Sequence, residues 1–143
     1  MDSEFPHDFT YLEVAVLDRE DQDLKVHFKR CNAFLRKCVA RKKKVLVHCR
    51  AGYSRSPGIV LAYLMAEEGM RLWQAQELVE SKRLVMPNDA FRLQLARYEL
   101  EIYGESSVAD KKGRWWDFYE WNAERKQYPR WIPDRSGDTC VLL

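Results

Sequence analysis

The stretch Val45-Leu-Val-His48, Cys49-Arg-Ala-Gly-Tyr-Ser-Arg-Ser56 and Pro57-Gly-Ile-Val-Leu-Ala-Tyr-Leu-Met65 limits the fold more than any other part of this 143-residue chain. The short β-branched run predicts a buried strand, and the apolar run after Pro57 predicts a buried helix. Strand, glycine-containing loop and helix in that order place the chain in the α/β class. Five residues, Arg50 to Ser54, separate Cys49 from Arg55. With a helix starting near Ser54 or Arg55, the N–H groups of Arg50, Ala51, Gly52, Tyr53 and Ser54 can converge on one centre. Such a nest on the positive end of a helix binds a tetrahedral oxyanion. Gly52 supplies the permissive backbone that a tight loop needs. Arg55 is placed to hold two anionic oxygens in a bidentate grip that lysine does not reproduce. The same field favours the Cys49 thiolate, and comparable settings lower a cysteine from about 8.5 to roughly 3.5–7.5. The loop therefore predicts a nucleophile and a phosphate cradle in one place.

Charge and length agree with a small globular body. The length predicts one domain, and the formal net charge of +2 is too small for a general nucleic-acid binder, so no nucleic-acid partner is expected. The charge is uneven: residues 1–24 carry a net −7 and residues 25–104 a net +9. A basic middle suits an anionic substrate, although solvated helix faces produce the same excess. No apolar run approaches the roughly 20 residues of a membrane helix. The opening Met-Asp-Ser-Glu-Phe-Pro is acidic and lacks the apolar stretch of an export signal. The expectation is a cytoplasmic, reducing compartment, in which Cys31, Cys38, Cys49 and Cys140 form no disulfide framework. His7, His27 and His48 lack zinc-site spacing with any cysteine pair, so neither a metal nor another cofactor is expected.

Around the loop, Tyr11-Leu-Glu-Val-Ala-Val-Leu17 predicts a second buried strand, followed by an acidic loop over Asp18 to Asp23. Leu24, Phe28, Cys31, Leu35 and Cys38 fall at helical spacing and form one apolar stripe, with Asp21 or Asp23 as the cap. That stripe makes Cys31 and Cys38 core residues. Further helices are predicted over Leu72–Lys82 and over Asp89–Tyr103, the latter capped by Asn88 and stopped by Gly104. Glu105–Gly113 reads as a polar linker, Arg114–Gln127 as a Trp-rich helix, and Tyr128–Leu143 as an irregular tail.

His48-Cys-Arg-Ala-Gly-Tyr-Ser-Arg-Ser56 resembles the HCxxGxxR(S/T) signature of cysteine-dependent protein phosphatases. With the continuation through Met65, and Pro87-Asn-Asp-Ala-Phe91 ahead of a helix, the chain resembles the small atypical dual-specificity phosphatases of the VH1-related type from about Phe5 to Glu101. The resemblance implies a parallel-containing sheet flanked by helices. It implies hydrolysis of phosphotyrosine and phosphoserine or phosphothreonine in proteins, with Cys49 as nucleophile and Arg55 on the phosphate. It assigns Asp18 as general acid, with Glu20, Asp21 and Asp23 as nearby rivals. Ser56 becomes the hydroxyl that hydrogen-bonds the departing thiolate, His48 orients the loop, and Asn88 braces it, a position that an N-cap also explains.

The family carries further strands before the segment equivalent to Tyr11–Leu17, whereas about ten residues precede it here, so the catalytic domain, residues 1–104, reads as shortened at its N-terminus. Residues 105–143 read as an extension outside the resemblance, and Trp115, Trp116, Trp121 and Trp131 favour packing on the domain over a partner surface. The ending Cys140-Val-Leu-Leu143 fits C-a-a-X with leucine last, which predicts geranylgeranylation of Cys140 and reversible membrane association. Two alternatives stand beside the phosphoprotein phosphatase: a non-catalytic phosphate-binding or interaction module, and a phosphatase for RNA 5′ ends or phosphoinositides. Arg50 and Tyr53, where lipid-directed members carry extra lysines, favour protein substrates.

Overall fold

A computed structural model describes residues 7–108 of the chain and the backbone of residues 140–142. Helix α1 spans Phe28–Ala40, strand β1 Val45–Val47, helix α2 Arg55–Glu67, helix α3 Leu72–Glu80, helix α4 Asp89–Tyr103 and strand β2 Cys140–Leu142. A 3-10 turn at Lys25–His27 leads into α1. The predicted start at Asp23 is thus a cap followed by a tighter turn: the Asp23 carboxylate accepts from Val26 N–H at 3.2 Å. The free N–H groups of Leu24 and Lys25 both go to the Gln94 side-chain oxygen, at 2.7 and 3.0 Å.

The core lies between α1, α2 and α4. Leu24, Phe28, Cys31, Leu35 and Cys38 are all buried, as their spacing predicts. The first four meet Ile59, Leu61, Ala62 and Met65 of α2 and Phe91 and Leu95 of α4. Gly58 permits the close approach of α2 to Leu24, since a Cβ there would lie 2.6 Å from Leu24 Cδ2. The limits of α4 match the prediction: Asn88 Oδ1 accepts from Phe91 N–H at 2.9 Å, and Gly104 ends the helix in the left-handed region with φ +76°. Helix α3 stops at Glu80, two residues short of the predicted Lys82, with turn bonds from Ser81 and Lys82 N–H closing it.

The sheet differs from the expectation. Tyr11–Leu17 is extended, and Leu12, Val14 and Val16 face inward, yet it forms no ladder with any described residue. The expectation is a buried strand, yet Glu13, Ala15 and Leu17 are exposed, and a strand also needs a neighbour for its N–H and C=O groups. Here Val16 N–H turns back on Val14 C=O at 3.0 Å, and side chains take other groups: Arg30 donates to Glu13 C=O, Arg55 Nη1 to Val16 C=O at 3.2 Å, and Leu17 N–H donates to Gln22 Oε1 at 3.3 Å. The partner of β1 comes from the tail read as irregular. β2 runs parallel to β1, with Val45 opposite Cys140 and Val47 opposite Leu142. The predicted Trp-rich helix over Arg114–Gln127 lies outside the described residues.

Candidate active site

β1 carries the chain to Cys49, and α2 starts at Arg55, so the intervening loop closes around the helix N-terminus. Gly52 adopts φ +73°, the left-handed conformation for which glycine is suited. The Arg83 guanidinium lies over this glycine, where a Cβ on residue 52 would be 3.0 Å from its Nη2. The proximity of Arg83 to the loop had no signal in the sequence.

Cys49 is half-buried, and its Sγ accepts from Gly52 N–H at 3.2 Å and from Ser56 Oγ at 3.3 Å. Partial burial, the largest single influence on this thiol, opposes ionisation. The Ser56 hydroxyl and the backbone N–H groups of Ser56, Gly52 and Ser54 act together in the other direction and prevail, holding the thiol below the ordinary cysteine value. Ser56 is buried at the start of α2. Arg55 spends Nη1 on the Val16 carbonyl, so its expected two-pronged grip is partly committed to protein. Its Nε is buried and has no hydrogen-bond partner among the described residues. A buried, unpaired guanidinium N–H is costly, and an anionic oxygen in the loop would relieve it.

Of the remaining loop residues, Arg50, Ala51 and Tyr53 are exposed and Ser54 is buried. His48 departs from its predicted role: it is exposed, with no hydrogen bond among the described residues. It lines a cleft beside Cys49, together with Val14, Val16, Arg55 and Ile59. Exposure follows from its place one residue past β1, whose alternation turns Val45 and Val47 inward.

Asp18 is brought to the loop. Its Oδ1 accepts from Ser54 Oγ at 2.6 Å and from Asn88 Nδ2 at 2.9 Å. Among the rival acids, Asp21 pairs with Arg19 at 2.6 Å, Asp23 caps the 3-10 turn, and Glu20, exposed like Asp18, makes no hydrogen bond to the loop among the described residues. Asn88 combines the two readings made of it, for its Oδ1 caps α4 while its backbone N–H donates to Ser54 Oγ at 3.2 Å. Neither Ser54 as the link between Asp18 and Asn88 nor the buried carboxylate of Glu99 was anticipated.

Residues 2–101 match the family model of the dual specificity phosphatase catalytic domain. Dual specificity protein phosphatase 1B of Arabidopsis thaliana is 43% identical over 103 residues, covering 71% of this chain and 62% of the relative. Dual specificity protein phosphatase 1 of the same plant is 46% identical over 95 residues, covering 66% of this chain and 48% of the relative. The chain thus spans roughly half to three fifths of the length of these curated relatives. Among solved structures, a human tyrosine phosphatase-like serine/threonine/tyrosine-interacting protein superposes with a TM-score of 0.67 at 32% identity, covering 71% of this chain and 68% of that one. The crystal structure of human DUSP28 gives 0.62 at 35% identity, covering 63% and 62%. The thin sheet and its helices are therefore the phosphatase α/β fold, and this chain belongs to the dual-specificity phosphatase catalytic-domain family.

Proposed function

We propose that this chain hydrolyses phosphate monoesters on tyrosine and on serine or threonine of proteins through a phosphocysteine intermediate. The observation that carries the reading is the Cys49 sulfur, which accepts hydrogen bonds from Gly52 N–H and Ser56 Oγ at the start of α2. In the first step the Cys49 thiolate attacks phosphorus and forms a P–S bond. The P–O bond to the side chain breaks as Asp18 gives its proton to the departing oxygen. In the second, water attacks phosphorus, its proton returns to Asp18, and the P–S bond breaks. Inorganic phosphate leaves, and Ser56 stabilises the released thiolate. The loop amides and the unpaired Nε of Arg55 carry the charge on the non-bridging oxygens.

Hydrolysis of an aryl phosphate by the full chain, with Cys49→Ser beside it, tests the reading. The variant should lose turnover and still bind inorganic phosphate. Binding without turnover in the unmutated chain would make this an interaction module, and turnover that survives Cys49→Ser would remove Cys49 as the nucleophile. Cytoplasmic residence belongs to the same proposal, as does a prenyl group on Cys140, which is supported by the C-a-a-X pattern of Cys140–Leu143 and would compete with the pairing of Cys140–Leu142 beside β1. Membrane fractions unchanged by Cys140→Ser would end that part.

A further inference from the structure

Helix α1 closes in a turn that carries the consecutive cations Arg41, Lys42, Lys43 and Lys44, all exposed. Its backbone is tightly tied: Lys42 N–H donates to Val39 C=O at 2.8 Å and Lys43 N–H to Cys38 C=O at 2.9 Å. This pair of bonds places a left-handed residue just past a helix, a position where glycine is usual. Lys42 occupies it, with φ +54°. The chain accepts backbone strain at the tip of the turn and keeps a charge there. Elsewhere Arg19, Lys25, Arg36, Arg71 and Arg92 each pair with a carboxylate. The cations of the turn have no acidic partner among the described residues. Val39 and Leu46, which flank the turn in sequence, are 50% and 52% exposed. Cations at a helix C-terminus also answer its dipole, but that explains neither lysine in the place of glycine nor the bare apolar side chains.

We infer that the turn Arg41–Lys44 is a contact for an anionic lipid surface, with Val39 and Leu46 as its apolar flanks. Unpaired cations on a fixed backbone match a leaflet of anionic headgroups, and the apolar neighbours gain a burial there that a water-soluble polyanion does not offer. β1 leads from the turn toward Cys49, so the contact lies at the far end of the strand from the phosphate loop. None of its residues lines the cleft beside Cys49. The register of β2 brings a second membrane signal to the same end, since Cys140 lies opposite Val45, the residue after Lys44. A single prenyl chain binds a membrane only marginally, and a basic patch makes the attachment hold. A lipid on Cys140 would leave the pairing with β1, and the cations beside its starting place would meet the same leaflet. The turn binds lipid whether or not Cys140 is modified, and the two are tested apart.

Sedimentation with vesicles reads the contact, using the full chain made without a prenyltransferase. Phosphatidylcholine vesicles containing about one third phosphatidylserine should bind the chain, and pure phosphatidylcholine should not. Raising the salt from about 0.1 M to about 1 M should release it, as the screening length falls from about 10 Å to about 3 Å. Each cation near such a surface is worth about fivefold, so Lys43→Gln with Lys44→Gln should weaken binding on the order of 20-fold. Lys29→Gln with Arg97→Gln removes the same charge at exposed positions elsewhere and should weaken it by less than about threefold. Lys42→Gly should raise the urea midpoint by relieving the left-handed lysine, yet weaken vesicle binding about fivefold, opposed signs that a folding defect does not produce. Circular dichroism and any aryl phosphate turnover should be unchanged in the two double variants.

Equal losses in the two double variants would reduce the effect to net charge and overturn the inference. Tighter binding of a single-stranded RNA than of the vesicles, at matched phosphate and salt and with the same sensitivity to Lys43 and Lys44, would assign the turn to nucleic acid and also overturn it. In cells, a membrane fraction that falls with the Lys43 and Lys44 pair and not with Cys140→Ser keeps the turn and removes the lipid. One that falls with Cys140→Ser and not with the lysine pair keeps the lipid and overturns the inference.

Discussion

Cys49 and Cys31 lie in one body under opposite conditions. Cys31 sits on the buried stripe of α1, where burial is the main influence and pushes its thiol up to about 11, against a smaller opposing effect of Arg30. Cys49 faces four donors that prevail over its partial burial. Only the thiolate reacts with alkylating agents or peroxide. At pH 6.5, iodoacetamide should therefore label Cys49 well before Cys31, and the rate at Cys49 should reach its plateau at a pH below that of a free cysteine. Ser56→Ala removes the leading donor to the sulfur, so the profile should shift toward higher pH. Peptide mapping by mass spectrometry reads both outcomes, and equal labelling of the two cysteines would contradict the account. Much of this residue scale was legible in the sequence. The position of Gly52 and the burial of Cys31 and Cys38 each followed from local spacing, because a turn and a helical stripe are properties of near neighbours. The bond from Ser54 to Asp18 spans 36 positions, and no local rule reaches that far.

At the scale of elements, the ends of α3 and α4 are tied by a carboxylate whose burial spacing alone could have announced. Phe91, Leu95 and Glu99 are four apart, which puts the acid on the buried face of α4. Glu99 is fully buried. Its two oxygens accept from Leu72 N–H at 2.8 Å, Ser107 N–H at 2.7 Å, Ser107 Oγ at 2.7 Å and Ser106 Oγ at 3.1 Å. One side chain thus satisfies the first N–H of α3 and fastens the segment after Gly104, with Val108 buried beyond it. A buried carboxylate with four donors is costly to remove, because the donors stay behind unpaired. Glu99→Ala should lower stability by about 3 kcal/mol or more, read as the urea midpoint by circular dichroism. Ser106→Ala, which removes one hydroxyl donor, should cost on the order of 1 kcal/mol. A loss for Glu99→Ala no greater than that for Ser106→Ala would show that the carboxylate does not tie the elements. By contrast, Tyr11–Leu17 turns one face inward and forms no ladder with any described residue, since pairing depends on a partner that its own residues do not specify. β2 shows the converse, for Cys140–Leu142 takes a place beside β1 that nothing in its local pattern announced.

At the scale of the molecule, the helices supply most of the buried core among the described residues and the sheet contributes three paired positions. The proton-binding groups inside this helical body set how stability varies with pH. Burial is the foremost cause that raises Cys31 to about 11 and Tyr63 to about 12, where Glu68 adds to it. Burial likewise raises Tyr98 and Tyr103. For a group whose folded value lies above its unfolded one, the stabilisation is complete below the unfolded value, about 8.5 for cysteine and 10 for tyrosine. It is lost as pH climbs through the folded value. Cys49 has the opposite sign: lowered in the fold, it contributes most above the unfolded cysteine value and loses that contribution as pH falls. These groups together predict stability that holds to about pH 9 and then declines toward pH 12, with the steepest loss as Cys31 and the tyrosines are forced to ionise. Urea midpoints taken at half-unit steps from pH 7 to 11.5 should follow that curve. Cys31→Ala should lower the midpoint at neutral pH through the cavity it leaves, yet flatten the decline between pH 9 and 11. A midpoint that rose through this range in the wild type, or a decline of the same slope in Cys31→Ala, would show that the buried thiol does not govern the alkaline limb.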